Sequence, residues 1–272
     1  MYRSCLGALL LAPALYSTAF GQTAAPQFAL VDLGPTTVAG SGLAWQVLQP
    51  TPAPDYPSTG GNACYGISTN SIYAEYGNAA VGTTCTTTPA LHAAKWTWTS
   101  SNITLTDLGV LPNALGGPEG GPSSEAYGFN NVGDIVGGSD SRYPSIHDVS
   151  SLSYVAHHAF LYNSGVMTDL GSIAGPNYDS SAIAVNDSHE IVGTTQTISS
   201  VDGSILFRAF LYTHGTMYNL TFYLVGGPTA HLTRAFGIDC QGNIAAAGTP
   251  ASGENTHSYL LIRQGPARNC PN

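Results

Sequence analysis

A four-part phrase recurs along this chain, and such a recurrence limits the fold more than any single motif, because equivalent segments must take equivalent structural roles. The first part reads CYGIS from residue 64, AYGFN from 126, AIAVN from 182 and AFGID from 235. The second reads GNAAVGT from 77, GDIVGG from 133, HEIVGT from 189 and GNIAAAG from 242. The third is HAAKW at 92, HAFLY at 158, RAFLY at 208 and HSYLL at 257. The fourth is LTDLG from 105, MTDLG from 167 and MYNL from 217, with a further LVDLG standing at 30, ahead of the first complete unit. The order is therefore permuted, the closing part of the last unit being written first.

Each part is short, is rich in Ile, Val, Leu, Phe and Tyr, and is bounded by Gly, Asn, Asp or Ser, which is the pattern of a strand and not of a helix. In HAFLY, His158, Phe160 and Tyr162 share one face, and Ala159 and Leu161 the other. Both faces are largely apolar, as a strand covered on both sides requires. Gly66, Gly128, Ala184 and Gly237 recur at similar intervals, and four strands in each interval match a propeller blade. The predicted fold is all-β and propeller-like, with four blades of four short antiparallel strands. The units run over residues 63–109, 125–171, 181–220 and 234–262, and residues 28–34 complete the last one, closing the ring and removing exposed strand edges. A β-sandwich or an open array of β repeats is the alternative arrangement of the same strands. The small residues of the first strands, Ala126 with Gly128, Ala182 with Ala184 and Ala235 with Gly237, are expected where innermost strands crowd.

The N-terminal stretch MYRSCLGALLLAPALYSTAFGQ combines Arg3, a short apolar run and the small residues Ala19 and Gly21, the layout of a cleaved secretory signal over residues 1–21. Residues 22–272 then form a single repeat domain, secreted or periplasmic, and no later apolar run is long enough to span a bilayer. Without Arg3, six basic residues face sixteen acidic ones, a net charge of about −10, so a nucleic-acid partner is not expected. Four cysteines remain, Cys64, Cys85, Cys240 and Cys270, and an even number in an exported chain favours disulfides. The hairpin geometry brings Cys64 to Cys85 and Cys240 to Cys270.

The phrases AYGFNNVGDIVGG and HAFLYNSGVMTDLG resemble the His-Ala-Phe extracellular repeat of bacterial exported proteins, over most of the chain from Phe28 to Ile262. The first unit departs from it with HAAKW and long insertions, and the last lacks its own closing part. The resemblance implies export and a repeated β architecture. It implies no catalytic residues.

Repetition also sorts the polar residues. His92, His158 and His257, with Arg208 in the third unit, hold one repeated position, and Asp32, Asp107 and Asp169, with Asn219, hold another. An active site needs unlike groups at one place, so residues recurring once per unit are expected to brace each blade, the histidine bonding a turn or the aspartate of the fourth part. Asn130, Asn186 and Asp239, with Ser68, are expected to set the first hairpin turn by accepting from amides two residues on. The non-repeated candidates for ligand contact are Trp45, Tyr56, Trp96 and Trp98, with Asp140, Tyr143, His147 and Asp148 in the loop over residues 139–155. No cofactor or metal is expected, and no nucleophile-elbow, zinc-protease, phosphate-loop, dinucleotide or calcium-loop spacing occurs. Two functions follow: an exported non-catalytic scaffold for binding or adhesion, whose partner is carbohydrate or another surface protein, and an extracellular polysaccharide-active hydrolase or lyase. The second needs paired carboxylates in one cleft; Asp140, Asp148 and Asp179 are the unrepeated acids that could supply them.

Overall fold

The computed structural model describes residues 25–35, 51–52, 70–85, 90–116, 121–146, 154–253, 255–268 and 270. The signal segment, Cys64, Trp45, Tyr56, His147 and Asp148 lie outside these. The described residues form four antiparallel sheets. The first unit holds β2 (Thr51–Pro52), β3 (Asn70–Tyr76), β4 (Ala79–Cys85), β5 (Leu91–Trp98) and β6 (Ile103–Gly109), in that spatial order. The second holds β7 (Ser124–Phe129), β8 (Ile135–Pro144), β9 (Val155–Asn163) and β10 (Val166–Gly171), and the third β11 (Ser180–Val185), β12 (Ile191–Ile198), β13 (Ile205–Thr213) and β14 (Thr216–Asn219). The fourth is built from both chain ends, with β1 (Phe28–Pro35) beside β17 (His257–Arg263), then β16 (Ile244–Pro250) and β15 (Ala230–Ile238). Phe28 pairs with Arg263 and Asp32 with Tyr259, so the N-terminal phrase fills the fourth-strand place.

Local chemistry explains the hairpins. β9 turns into β10 at Ser164–Gly165, and β13 into β14 at His214–Gly215, with φ of 51° and 85° in the first and 50° and 78° in the second. Two consecutive positive φ values match the twist of the flanking strands, and glycine at the second position accepts one of them without strain.

The sheets pack face to face in chain order, each interface using equivalent positions. Val81 and Ala93 of the first sheet meet Ala126, Ile135 and Phe160 of the second. Val136 and Ala159 of the second meet Ala182, Ile191 and Phe210 of the third. Val192, Ala209 and Leu211 of the third meet Ala235, Ile244, Tyr259, Leu261 and Phe28 of the fourth. The small residues of the first strands therefore pack against the preceding sheet. Gly128 lies against the next first strand, where a Cβ would stand 2.5 Å from the Ile183 carbonyl oxygen. Ser124 and Ser180 fasten consecutive sheets, each donating to the closing glycine carbonyl of the unit before, Gly109 or Gly171, and accepting from the amide of Ala93 or Ala159.

The first unit differs from its expected register. Its first strand is β3, reading NSIYAEY, and not the CYGIS segment, which lies outside the described residues. Ala74 then corresponds to Gly128, Ala184 and Gly237, which makes the repeat more even than Gly66 would, and Tyr76 takes the turn position assigned to Ser68. In this register every first strand carries a bulge at the same place, skipping Tyr73, Tyr127, Ile183 and Phe236. Residues 139–144, expected in a loop, continue β8, so Asp140 and Tyr143 are strand residues. Among the described residues no helix is long and apolar enough to cross a membrane.

Candidate functional site

The turns after the first strands converge at one end of the sheets. Asn130 accepts from the amides of Val132 and Asp134 at 3.2 and 2.9 Å, and its own amide donates to Asp134 Oδ2 and across to the Asn186 carbonyl, at 2.8 and 2.9 Å. Asn186 repeats the arrangement, accepting from Ser188 and Glu190 and donating to Glu190 Oε2 and the Asp239 carbonyl. One side chain thus sets its own turn and ties its sheet to the next. Asp239 accepts from Asn243 at 2.8 and 2.9 Å, but a carboxylate has no hydrogen to send onward, so the ladder ends at the fourth unit.

All four units contribute to a cleft of about 400 Å³ at this end. Tyr76 comes from the first, Phe129 and Asn131 from the second, Asp187 from the third, and Ile238 and Cys240 from the fourth. Asp187 accepts from the backbone and side chain of Asn131, both at 3.0 Å, which fixes a carboxylate and an amide at the rim. The Tyr76 side chain, with the residue 71% exposed, offers an open aromatic face beside them.

The C-terminal segment is fastened against the same end. Cys240 and Cys270 form a disulfide with Cα atoms 5.5 Å apart, and Gln241 exchanges hydrogen bonds with the backbone of Arg268 at 2.7 and 2.8 Å. Arg268 and Arg263 both bond Glu190, which is 2% exposed. Burial opposes ionisation of Glu190, but the Arg268, Asn186 and Arg263 contacts outweigh it and hold the carboxyl below its ordinary value. The partner expected for Cys85, Cys64, lies outside the described residues.

The repeated histidine and aspartate meet within each sheet that has both. Nδ1 of His92 is 3.0 Å from Asp107, that of His158 is 2.9 Å from Asp169, and that of His257 is 2.8 Å from Asp32. Each aspartate also accepts from the amide two residues on, Gly109, Gly171 or Gly34. His158 Nε2 faces the Pro176 carbonyl at 2.9 Å. Burial alone would raise Asp107 and Asp169, yet the histidine and glycine bonds bring both below their ordinary value.

The third unit abandons this brace. Arg208 donates to the Phe207 carbonyl, and Asn219 caps a 3-10 turn, Leu220–Tyr223, by accepting from Thr221 at 3.1 Å. The fourth strand stops at Asn219, and a groove of about 430 Å³ opens beside it.

At the other end of the first strands lie unrepeated acids. Asp179 accepts from the His157 amide at 3.0 Å and from Gln196 at 3.1 Å, and Asp140 accepts from the Ser123 amide at 2.8 Å. Burial pushes the Asp140 carboxyl up; Ser123 and His157 oppose the rise, and Glu125 and Asp179 add to it. Glu125 accepts from the Tyr127 hydroxyl, and the Tyr127 ring meets Tyr73 edge to face at 4.9 Å. Burial first, and then the Glu125 charge, push Tyr73 up to about 12 and raise Tyr127 as well, while Arg234 of the fourth unit acts on Tyr127 in the opposite sense.

The expected ligand aromatics divide differently. Trp96 is fully buried in the first sheet, packed with Ile72, Ala80 and Ala94, and Trp98 packs partly buried against that cluster. Both belong to β5, not to an insertion loop. Tyr143 accepts from Arg142 at 2.8 Å and lies over His158, with ring centroids 5.8 Å apart. Among the described residues no group of three or more His, Cys, Asp or Glu could hold a metal ion. Tyr76, Asn131, Asp187 and Phe222 escape sequence reasoning; the change of turn chemistry at Tyr76 and the loss of the brace at Asn219 are the signals available. Comparison with protein-family models, curated proteins and solved structures finds no match, so function is argued from geometry.

Proposed function

We propose that this is an exported, non-catalytic protein of the His-Ala-Phe repeat type, a scaffold for binding or adhesion whose four sheets close into a propeller ring around an axial cleft. The cleft carries the reading: equivalent turn positions of all four units line one cavity, and there Tyr76, Asn131 and Asp187 offer an aromatic face with paired polar groups. That combination suits a hydroxyl-rich ligand, a carbohydrate chain free or displayed on a surface partner. The serial packing of the sheets, the pairing of β1 with β17 and the influence of Arg234 on Tyr127 between the fourth and second units support a ring. The Cys240–Cys270 disulfide suits an oxidising compartment.

Glycan-array screening followed by calorimetry on wild type, Tyr76→Ala and Asp187→Asn tests the binding. Loss of at least about tenfold in affinity, or about 1.4 kcal/mol, is expected in each variant. Unchanged affinity in both refutes the cleft as the site. A closed ring of the mature chain should scatter with a radius of gyration of about 18 Å, the value for a compact domain of this length, and a distinctly larger one refutes closure.

The raised Asp140 carboxyl beside Glu125 and Asp179 favours one second reading, a polysaccharide-active enzyme. Release of reducing ends or unsaturated products by wild type but not Asp140→Asn would establish it. The hydrogen bonds that Asp140 and Asp179 make to strand-end amides support the structural role instead.

A further inference from the structure

The groove on the third sheet occurs where one unit departs from its siblings. In the first and second units the fourth strand runs on to Gly109 or Gly171 and is clasped by a histidine–aspartate pair. In the third, Asn219 caps the turn Leu220–Tyr223, and the turn is anchored from beneath. Leu220 and Leu224 lie in the core, Thr221 Oγ1 accepts from Leu232 at 3.0 Å, and Val225 donates to the Phe28 carbonyl at 2.7 Å. This rigid platform holds Phe222 outward, 70% exposed, while Tyr223 meets Tyr218 edge to face at 5.1 Å. The anchored turn thereby keeps in solvent an aromatic ring that would gain free energy by being covered.

The lining indicates the ligand. Ile173, Ile198, Met217, Tyr218 and Tyr223 alternate with Thr197 and Asn219, and none of the described lining residues is charged, although the chain as a whole carries −9. The cap uses Oδ1 of Asn219 and leaves the donor capacity of its amide nitrogen unspent among the described residues. An uncharged groove with an exposed ring and scattered hydrogen-bonding groups complements a molecule with apolar C–H faces and hydroxyl edges. Its described lining offers no opposite charge to a phosphate, a uronate or a charged peptide. Its volume, about 430 Å³, is of ligand-binding size. We propose that this groove is a binding site for the sugar rings of an uncharged oligosaccharide, independent of the axial cleft, with Phe222 as the stacking platform.

The test uses the full mature chain with four probes in calorimetry: a β-1,4-glucan oligomer, an α-1,4-glucan oligomer, an oligogalacturonate and an extended apolar peptide. An uncharged oligosaccharide should bind, Phe222→Ala should weaken it at least about tenfold, and Phe222→Tyr should retain it. Tyr76→Ala should leave this binding intact, which separates the groove from the cleft. Because Phe222 is exposed, its variants should melt like wild type. The proposal is overturned if neither glucan binds at millimolar concentration, if Phe222→Ala binds as wild type does, or if oligogalacturonate or the peptide is preferred.

Discussion

Replacing Phe28 by alanine should destabilise the whole domain, although the residue lines neither proposed site. Phe28 is fully buried and belongs to the same core cluster as Leu220 and Leu224 of the turn after β14 and Leu232, Ile244, Tyr259 and Leu261 of the fourth sheet. Removing a buried phenyl ring costs about 3 to 5 kcal/mol, the lost transfer free energy plus the cavity left behind. A domain has about 5 to 15 kcal/mol in total. With a urea slope of about 2 to 3 kcal/mol per molar, the midpoint should fall by about 1 to 2.5 M. Leu33→Ala is the internal control, because Leu33 lies on the same strand but is 38% exposed. It should move the midpoint by a small fraction of the Phe28→Ala shift. Equal midpoints for wild type and Phe28→Ala would mean that β1 is not a working strand of the fourth sheet. Equal losses in the two variants would mean that strand pairing, and not the phenyl ring, carries the contribution.

Tyr259 fills the place of Phe160 and Phe210 but buries a hydroxyl that has no hydrogen-bond partner among the described residues. Tyr259→Phe should therefore be neutral or stabilising by up to about 2 kcal/mol in the same urea melts. A clear loss would point to a partner for that hydroxyl. In Gly137→Ala the new methyl would overlap the Glu125 carbonyl oxygen and crowd the Phe160 ring. The cost should be about 1 to 3 kcal/mol, and an unchanged melt would refute that packing. Acid should weaken the fold: Asp107, Asp169 and Glu190 titrate below their ordinary values of 3.8 and 4.5, so their contribution is complete above those values and is lost as pH falls through and below them. The raised Asp140 acts in the opposite sense, one group against three. Urea midpoints should decline between about pH 5 and about pH 3, and a rise would refute the balance.

The four strands of the second, third and fourth units and the borrowed N-terminal strand are legible in the sequence because each is a local apolar phrase and the permuted order leaves one closing part unmatched, whereas the fifth strand of the first sheet, Thr51–Pro52, is not. The first unit is misregistered because CYGIS imitates AYGFN residue by residue, whereas SIYAEY carries Glu75 and Tyr76 where its siblings have an apolar residue and an Asn or Asp. The more even spacing that Ala74 gives is the available correction. Residues 139–144 read as loop because SDSRYP lacks apolar alternation; its strand character comes from pairing with β9, including Asp140 with His157. The brace is legible because both partners recur together in three of the four units. The bond from Asn130 to the next unit, and the grip of Arg268 on Glu190 from far along the chain, depend on how sheets stack and leave no local trace.

The two proposed sites share one physical origin. Where the units agree, their polar groups are consumed: histidine by aspartate, asparagine by its own turn and the neighbouring carbonyl, serine by the preceding sheet. Such groups keep little bonding capacity for a ligand. More of it returns where a unit breaks the pattern. In the first unit Tyr76 stands in place of the turn asparagine or aspartate, so that turn has an open ring where its siblings have a hydrogen-bonded amide or carboxylate. In the third, Arg208 and Asn219 replace the brace, and the freed chain folds into a platform that exposes Phe222. Restoring the pattern should therefore close a site without unfolding the protein. Tyr76→Asn, which brings the first turn towards the sequence of the others, should abolish binding in the proposed cleft site while leaving the urea midpoint at or above the wild-type value. A variant that loses both stability and binding would show instead that Tyr76 is a structural residue of the first sheet, and the link between broken repeat and ligand site would fail there.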